Sequence, residues 1–572
     1  MFKGYNHNLR IGDGEFYDME NMTSDHYPVL SSCSPRGKYT AEETDDAITG
    51  IIAKNELCYT TGTSIVIGDT DVELGLDEAT EKQLVSMGAY IIIAPDMKYI
   101  NTEDYEDFGD IKVDGAKISC DATLCREDGT PWPVIISLEQ PSKANRDFLW
   151  FDAQSTPPRY LRYYPDSVSW NEEKTYVKIK GEGIVEDLSA GDVVRVYTSI
   201  FETYGEDRFV KIVRADETQI ILEGWIGIDE EEYEDGDKIN VVKSSGNVRV
   251  RRPAPATRLL CEKNNRLWGC GTDDNTIYAS KLGDFKNWQD YSASSTASYA
   301  VTVGSDGPFT GSVSYKDSVI FFKETCMHKI YGSYPAEFTL QTIPCEGVAK
   351  GAEKSLAVID GVLYYQGRSG IWAYDGSVPV KISENMGDVM YKDGVACGYR
   401  GKYYIDCVNA SEPYERELLV YDTKKQLWHK ETATEATAFA DYKDNLYYIR
   451  AEGFRIYELM GTSNDKPVKW FAETGIIGTN DPDSKYITKL NVRMSLAPAD
   501  DGEEYAEFYV QYDSSGKWER LNKISVEATD LRSFTVPIPL RRCDHLRLRI
   551  EGEGDVKIYS IAKTIYGGSD VV

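Results

Sequence analysis

One pattern constrains this chain more than any other. A polar turn, an aromatic or aliphatic strand, a loop and a second strand ending in an aromatic recur along it. In the centre the unit reads Asn264-Asn265-Arg266-Leu267-Trp268 with Ile277-Tyr278, then Asp317-Ser318-Val319-Ile320-Phe321-Phe322 with Lys329-Ile330-Tyr331. It returns as Asp360-Gly361-Val362-Leu363-Tyr364-Tyr365 with Ile371-Trp372-Ala373-Tyr374, as Arg400-Gly401-Lys402-Tyr403-Tyr404-Ile405 with Leu419-Val420-Tyr421, and as Asp444-Asn445-Leu446-Tyr447-Tyr448 with Arg455-Ile456-Tyr457. Successive turns lie roughly 40 to 53 residues apart, the interval at which four-stranded propeller blades repeat. Asp-Gly, Asn-Asn, Asp-Ser and Asp-Asn pairs tolerate the positive φ of tight hairpin turns, so each unit reads as the hairpin joining two strands of a blade. Two earlier copies, Lys54 to Tyr59 with Ser64 to Ile67 and Gly88 to Ile92 with Lys98 to Ile100, bring the total to about seven, inside the roughly four to eight blades of a propeller. Unrelated sandwich hairpins would instead place a turn about every 8 to 12 residues.

The repeat stops between residues 104 and 255. Short alternating strands appear there, among them Ala190-Gly191-Asp192-Val193-Val194-Arg195-Val196, Arg208 to Val213, Gln219 to Leu222 and Lys238 to Val242, and they predict a small inserted barrel of SH3-like or OB-like type. Gln140 to Trp170, with Pro141, Pro157, Pro158 and Pro165, reads as an extended or looping arm. Leu74 to Met87 holds the best helix formers and predicts a short connector between strands. Past Gly461, Ile487 to Leu496, Ala506 to Tyr512, Ser533 to Ile538 and Leu546 to Ile550 alternate apolar and polar residues, which predicts a β-sandwich. The expected fold is all-β: a β-propeller of about seven blades with an inserted small β-barrel and a C-terminal β-sandwich. Its expected division is residues 1–103 for an N-terminal arm and the first blades, 104–255 for the barrel, 256–464 for the remaining blades and 465–572 for the sandwich.

Little in the chain points to chemistry. Five histidines, His7, His26, His328, His429 and His545, stand far apart with no metal-ligand spacing, and no nucleophile elbow, Walker loop or dinucleotide glycine motif is present. Asp273-Asp274, Asp69 with Asp71, and Asp500-Asp501 are nominal carboxylate pairs, but each lies in a turn composition where Asp caps backbone N–H groups. Eleven cysteines are scattered without compact spacing; Cys120 with Cys125 and Cys261 with Cys270 lack a second ligand pair, so reduced, buried thiols are expected. Neither a catalytic site nor a cofactor is expected, and no segment reads as a secretory signal or a membrane span. A net charge of −31 speaks against gripping nucleic acid, which takes clustered Lys and Arg, while an acid-lined tube would let DNA slide. Arg249, Arg251, Arg252 and Arg258, with Arg541 and Arg542, are the candidate interface residues toward an acidic neighbouring subunit.

Several segments resemble the propeller proteins of phage tails, the tail nozzle or hub and the packaged-DNA stabilisation proteins. They are Gly14-Glu15-Phe16-Tyr17-Asp18-Met19-Glu20-Asn21-Met22-Thr23, leading into Tyr27 to Ser31 and Pro35-Arg36, and Glu81 to Tyr90. Leu282-Gly283-Asp284-Phe285-Lys286-Asn287-Trp288, Gly370 to Gly376 and Gly554 to Ser560 complete the set. The resemblance implies a homo-oligomeric ring, with a hexamer the expectation, continuing the tail below the portal and touching a tail adaptor and other tail proteins. DNA would pass through its lumen without specific binding, the virion being assembled in the bacterial cytoplasm. A receptor-binding or glycan-binding tail protein is the alternative reading, and a glycan-degrading enzyme a more distant one.

Overall fold

The computed structural model describes residues 2–40, 42–152, 154–229, 233–272, 274–410, 415–462, 465–478, 485–496, 505–525, 531–539 and 541–567. The chain divides into two compact units, Met1–Val85 with Ser305–Gly332 and Thr339–Val572, and Ser86–Gly304 with Ser333–Phe338. Both are built of strands; among the described residues the helical turns are short 3-10 segments.

Among the described residues, seven sheets have four strands each. Five lie in the first unit. They are built from Ile48–Ala53, Leu57–Thr61, Ser64–Ile67 and Thr70–Glu73; from Gly311–Tyr315, Ser318–Lys323, Cys326–Tyr331 and Thr339–Pro344; from Ala357–Ile359, Val362–Gln366, Ile371–Tyr374 and Val380–Lys381; from Tyr391–Tyr399, Lys402–Asn409, Arg416–Asp422 and Leu427–Glu431; and from Ala436–Tyr442, Asn445–Arg450, Tyr457–Glu458 and Gly37–Lys38. In the last of these, the fourth strand comes from the other end of the chain, with Lys38 antiparallel to Tyr457.

The turns explain the repeat. Asp360 and Gly361 have φ of 49° and 79°, Arg400 and Gly401 47° and 74°, and Asn264 and Asn265 52° and 58°, the left-handed pair that a two-residue hairpin turn matched to strand twist requires. The strands that follow alternate buried side chains to both faces, because a sheet lies on either side. Tyr315, Ile320, Phe322, Leu363, Tyr365 and Tyr374 pack two sheets together, Tyr399, Tyr404, Leu418, Val420, Leu446 and Tyr448 pack the next two, and Ile48, Ile51, Leu57, Tyr447 and Ile449 a further pair. Tyr364 stacks on Tyr403 with ring centroids 5.4 Å apart. Tyrosine rather than phenylalanine recurs because the hydroxyl is used: Tyr315 donates to the Gly361 carbonyl at 2.9 Å and Tyr403 to that of Ser355 at 2.7 Å, while Tyr399 donates to that of Asp444. Each ring buries about 150–250 Å2 while its hydroxyl finds a partner at the edge.

Leu74 to Met87 is not helical. The chain loops and then enters the strand Gln83–Met87, where the Lys82 N–H bonds the Thr49 carbonyl and Val85 and Met87 are buried; tertiary pairing overrides local helix propensity.

In the second unit the strands Tyr90–Ala94, Lys98–Asn101 and Phe108–Asp110 follow Gln83–Met87 in one four-stranded sheet, and Thr257–Lys263, Arg266–Gly271, Thr276–Ala279 and Tyr299–Thr302 form another. Between them in sequence lies a closed six-stranded barrel, in the order Ile118–Cys125, Tyr176–Lys180, Gln219–Trp225, Phe209–Asp216, Val193–Thr198 and Lys243–Arg252, closing back on the first. Its interior holds Leu124, Val177, Ile179, Val194, Val196, Val210, Ile212, Leu222 and Val248. The expected arm, Gln140 to Trp170, is a correction: Leu149–Asp152, Arg159–Tyr164 and Ser169–Glu172 join Val134–Ile136 and Lys238–Ile239 in a five-stranded sheet. The prolines sit outside its strands, and Leu161, Tyr163 and Trp170 supply a small core of their own.

The C-terminal strands pack as two sheets over one core that includes Leu490, Val492, Met494, Phe508, Val510, Leu548 and Ile550. They are not the work of residues 465–572 alone. One sheet orders Gly4–Tyr5, Glu15–Glu20, Lys469–Thr474, Leu546–Glu553, Tyr505–Tyr512 and Glu519–Ser525; the other orders Met22–Thr23, Leu30–Ser32, Val556–Gly567, Lys485–Leu496 and Arg532–Pro537. The N-terminal segment is thus a structural part of the sandwich.

Candidate functional site

The six candidate arginines have different surroundings. Arg252 is buried, and it is not available to an interface. It ends the strand Lys243–Arg252, whose alternation points it inward. There it forms an ion pair with Asp192 at 2.5 Å, the two side chains being 2% and 4% exposed. Its remaining N–H groups reach the carbonyls of Ile111 at 3.1 Å, Asp187 at 2.7 Å and Asp110 at 2.6 Å. Arg249 and Arg251 both meet Asp114, at 2.6 and 2.7 Å. Arg541 pairs with Glu519 at 2.9 Å and lies over the Tyr512 ring. Arg258 and Arg542 are exposed.

The Arg252 node also explains the segment Leu282 to Trp288. Asn287 is buried; its amide oxygen accepts the Val193 N–H at 2.7 Å, and its amide nitrogen donates to Asp192 at 3.2 Å and Asp284 at 2.6 Å. Asp192 therefore accepts from Arg252 on one side and Asn287 on the other, which fastens the barrel to the segment after Thr276–Ala279. Trp288, 1% exposed, packs beside it, so this tryptophan offers no face to a sugar.

A second polar node lies in the first unit, beneath the N-terminal segment. Asn21 bridges the Thr432 hydroxyl and the Lys469 carbonyl, each at 2.7 Å, Lys430 pairs with Asp18 at 2.7 Å, and Ser24 donates to Asp422 at 2.7 Å. Lys402 pairs with Asp25 at 2.5 Å, and Arg36 with Glu431 at 2.7 Å while also reaching the Leu459 carbonyl at 2.9 Å. Burial opposes ionisation of Glu431, but Arg36 and then His429 outweigh it and pull the carboxyl down to about 2. Burial likewise opposes ionisation of Asp25, and Lys402 outweighs it. His429, fully buried 3.4 Å from Glu431, is held neutral chiefly by burial. A signal for this node was present in Leu427-Trp428-His429-Lys430-Glu431, where His and Glu occupy the same buried face of one strand. Their partners, some 400 residues earlier, left no local trace.

The remaining candidates separate. Asp69 and Asp71 are exposed, Asp69 in the turn before Thr70–Glu73 and Asp71 within that strand. Asp274 caps the Thr276 N–H at 2.9 Å, as turn chemistry predicts; Asp273, Asp500 and Asp501 lie outside the described residues. His328 is buried between Ser305 at 2.7 Å and Thr342 at 2.9 Å, and burial, then Lys323, lowers its pKa to about 4. None of the eleven cysteines is in a disulfide, and seven of them are buried. Among the described residues, no group of three or more His, Cys, Asp and Glu is placed to hold a metal ion, and no helix is long and apolar enough to cross a membrane.

No protein-family model and no curated protein matches this chain. Among solved structures it is similar to a carbohydrate-binding module of the β-sandwich superfamily, at TM-score 0.14 and 11% identity over 37% of this chain and 94% of that one. It is also similar to an engineered GH43 glycoside hydrolase, at TM-score 0.20 and 10% identity over 54% and 96%, and to the extracellular domain of a one-component system of B. thetaiotaomicron, at TM-score 0.16 and 8% identity over 96% and 98%. At such scores these likenesses carry no argument about function.

Proposed function

We propose that this chain is a structural component of a bacteriophage tail, a nozzle or hub protein whose copies form a ring around the DNA channel. In this reading the seven four-stranded sheets are the blades of one β-propeller. The observation that carries it is the pairing of Lys38 with Tyr457, by which an N-terminal strand completes the sheet of residues 436–458. A propeller needs such a closure, since radial repetition leaves only short, protected edges when first and last blades are joined. The face-to-face packing of consecutive sheets through tyrosine-rich cores supports the same reading.

The tail assignment rests on the resemblance of Gly14 to Thr23, Leu282 to Trp288 and Gly370 to Gly376 to phage-tail propeller proteins. The two polar nodes fit a structural role, because Asn287 and Asn21 bond separate elements together in the very segments that carry the resemblance. A charge of −31 suits a lumen that repels DNA rather than binding it.

Negative-stain imaging of the purified full-length protein, alone and beside intact particles, tests the proposal. Rings, and recognition of the particle tail by antibody against the protein, are expected. A monomer that never occurs in particles would overturn the tail role, and selective retention of the full chain on a glycan array would favour the receptor-binding alternative. Residues 465–572 alone are unsuitable for that array, since they lack the sandwich strands supplied by residues 4–32.

A further inference from the structure

The hairpin joining Tyr505–Tyr512 to Glu519–Ser525 brings Ser514 against Asp544 and His545, which lead into the strand Leu546–Glu553. The Ser514 hydroxyl lies 2.7 Å from His545 Nε2, and His545 Nδ1 lies 3.0 Å from Asp544 Oδ2. Each ring nitrogen thus faces the group that an acyl-transfer triad places there: serine on one side, carboxylate on the other. Asp513 holds this order. Asp513 Oδ1 accepts the N–H of Asp544 at 2.8 Å and of His545 at 3.4 Å, and its own N–H bonds the His545 carbonyl at 3.0 Å. The His545 side chain is 19% exposed, whereas that of Asp544 is 71% exposed. The serine is also an unusual choice for its place. Asp513 and Ser514 have φ of 50° and 49°, with the Ser515 N–H bonding the Tyr512 carbonyl at 3.0 Å. At the second central position of such a turn glycine or asparagine is the unstrained residue.

We infer that Ser514, His545 and Asp544 form an esterase relay, independent of the tail role, acting on small acyl esters such as the O-acetyl groups of a surface polysaccharide. Ser514 Oγ attacks the acyl carbon as its proton passes to Nε2. The bond from that carbon to the alcohol oxygen breaks, and the alcohol leaves with the proton. Water then adds to the acyl-serine, His545 taking its proton, and the carboxylic acid departs with Ser514 restored. No cofactor, oxidant or reductant is needed. Asp544 keeps Nδ1–H pointed away from the serine and stabilises the imidazolium; Asp513 is a positioning residue. An ester fits better than an amide, because an alkoxide leaves with less protonation. A polymer-borne group fits better than a free small molecule, because a hairpin tip offers no walls to grip one.

The test uses the intact protein, a fluorophosphonate probe and p-nitrophenyl acetate. Labelling that maps to Ser514, and hydrolysis that falls roughly 100-fold in His545→Ala, are expected. Ser514→Gly suits the backbone and should melt at or above the parent temperature while losing both signals, which separates chemistry from folding. Asp544→Asn should retain the fold and lose most of the rate. Absence of label on Ser514 in folded protein, or labelling unchanged in His545→Ala, overturns the relay; neither outcome bears on ring formation.

Discussion

Arg252→Ala should be far more damaging than the same change three positions away at Arg249, although the two look alike in sequence. Removing the Arg252 side chain leaves Asp192, 4% exposed, without its cation, and strips donors from the carbonyls of Ile111, Asp187 and Asp110. Breaking a buried pair from one side costs about 3–5 kcal/mol. Asp192 keeps the Ser189 N–H at 3.0 Å and the Asn287 amide, so the lower half of that range, about 3–4 kcal/mol, applies. For a unit of this size each kcal/mol lowers Tm by about 2–4 °C, which gives a drop of roughly 6–16 °C. Arg249 pairs with Asp114 where both side chains are more than 40% exposed, and its loss should cost about 0–1 kcal/mol. Arg252→Lys should recover only part of the loss, since one ammonium cannot replace a fork spanning four acceptors. Differential scanning calorimetry and urea unfolding of the full chain, with tryptophan fluorescence, measure this. An Arg252→Ala variant within about 1 kcal/mol of the parent, or no more damaged than Arg249→Ala, would refute the assignment of a buried clamp.

The N-terminal node should loosen in acid. His429, Glu431 and Asp25 all have folded pKa values below their ordinary ones, so the unfolded chain binds protons first and the contribution is complete only above about pH 6.5, falling as pH drops through the histidine and then the carboxylate range. Hydrogen-exchange protection in residues 18–36, taken relative to the intrinsic rate at each pH and compared with the strand Val362–Gln366, should fall from pH 6.5 to 4, and protection that rises with acid would sink the argument. Tyr315→Phe should cost about 1 kcal/mol through the lost bond to the Gly361 carbonyl, read as a shift in the urea midpoint at constant slope. Gly347→Ala would put a methyl 2.0 Å from the Lys323 carbonyl oxygen; backbone cannot yield as a side chain does, and a loss of roughly 1–3 kcal/mol is expected by thermal melting.

The strands and turns of this protein were written locally. Asp360-Gly361 and Asn264-Asn265 announce positive-φ hairpins because the needed backbone freedom belongs to those residues themselves, and alternation in Tyr505–Tyr512 or Leu546–Glu553 marks buried and open faces because a strand's side chains must alternate. What could not be read locally is pairing at a distance. Nothing in Gly4 to Ser32 says that these residues add strands to a sandwich otherwise built after Lys469, and the prolines of Gln140 to Trp170 concealed strands that exist because a neighbouring sheet supplies their hydrogen bonds. Charge shows the same limit. Arg249 and Arg252 are equivalent as letters; only the tertiary fold turns one to solvent and closes the other over Asp192, since the cost of burying a charge depends on partners that the folded chain alone brings together.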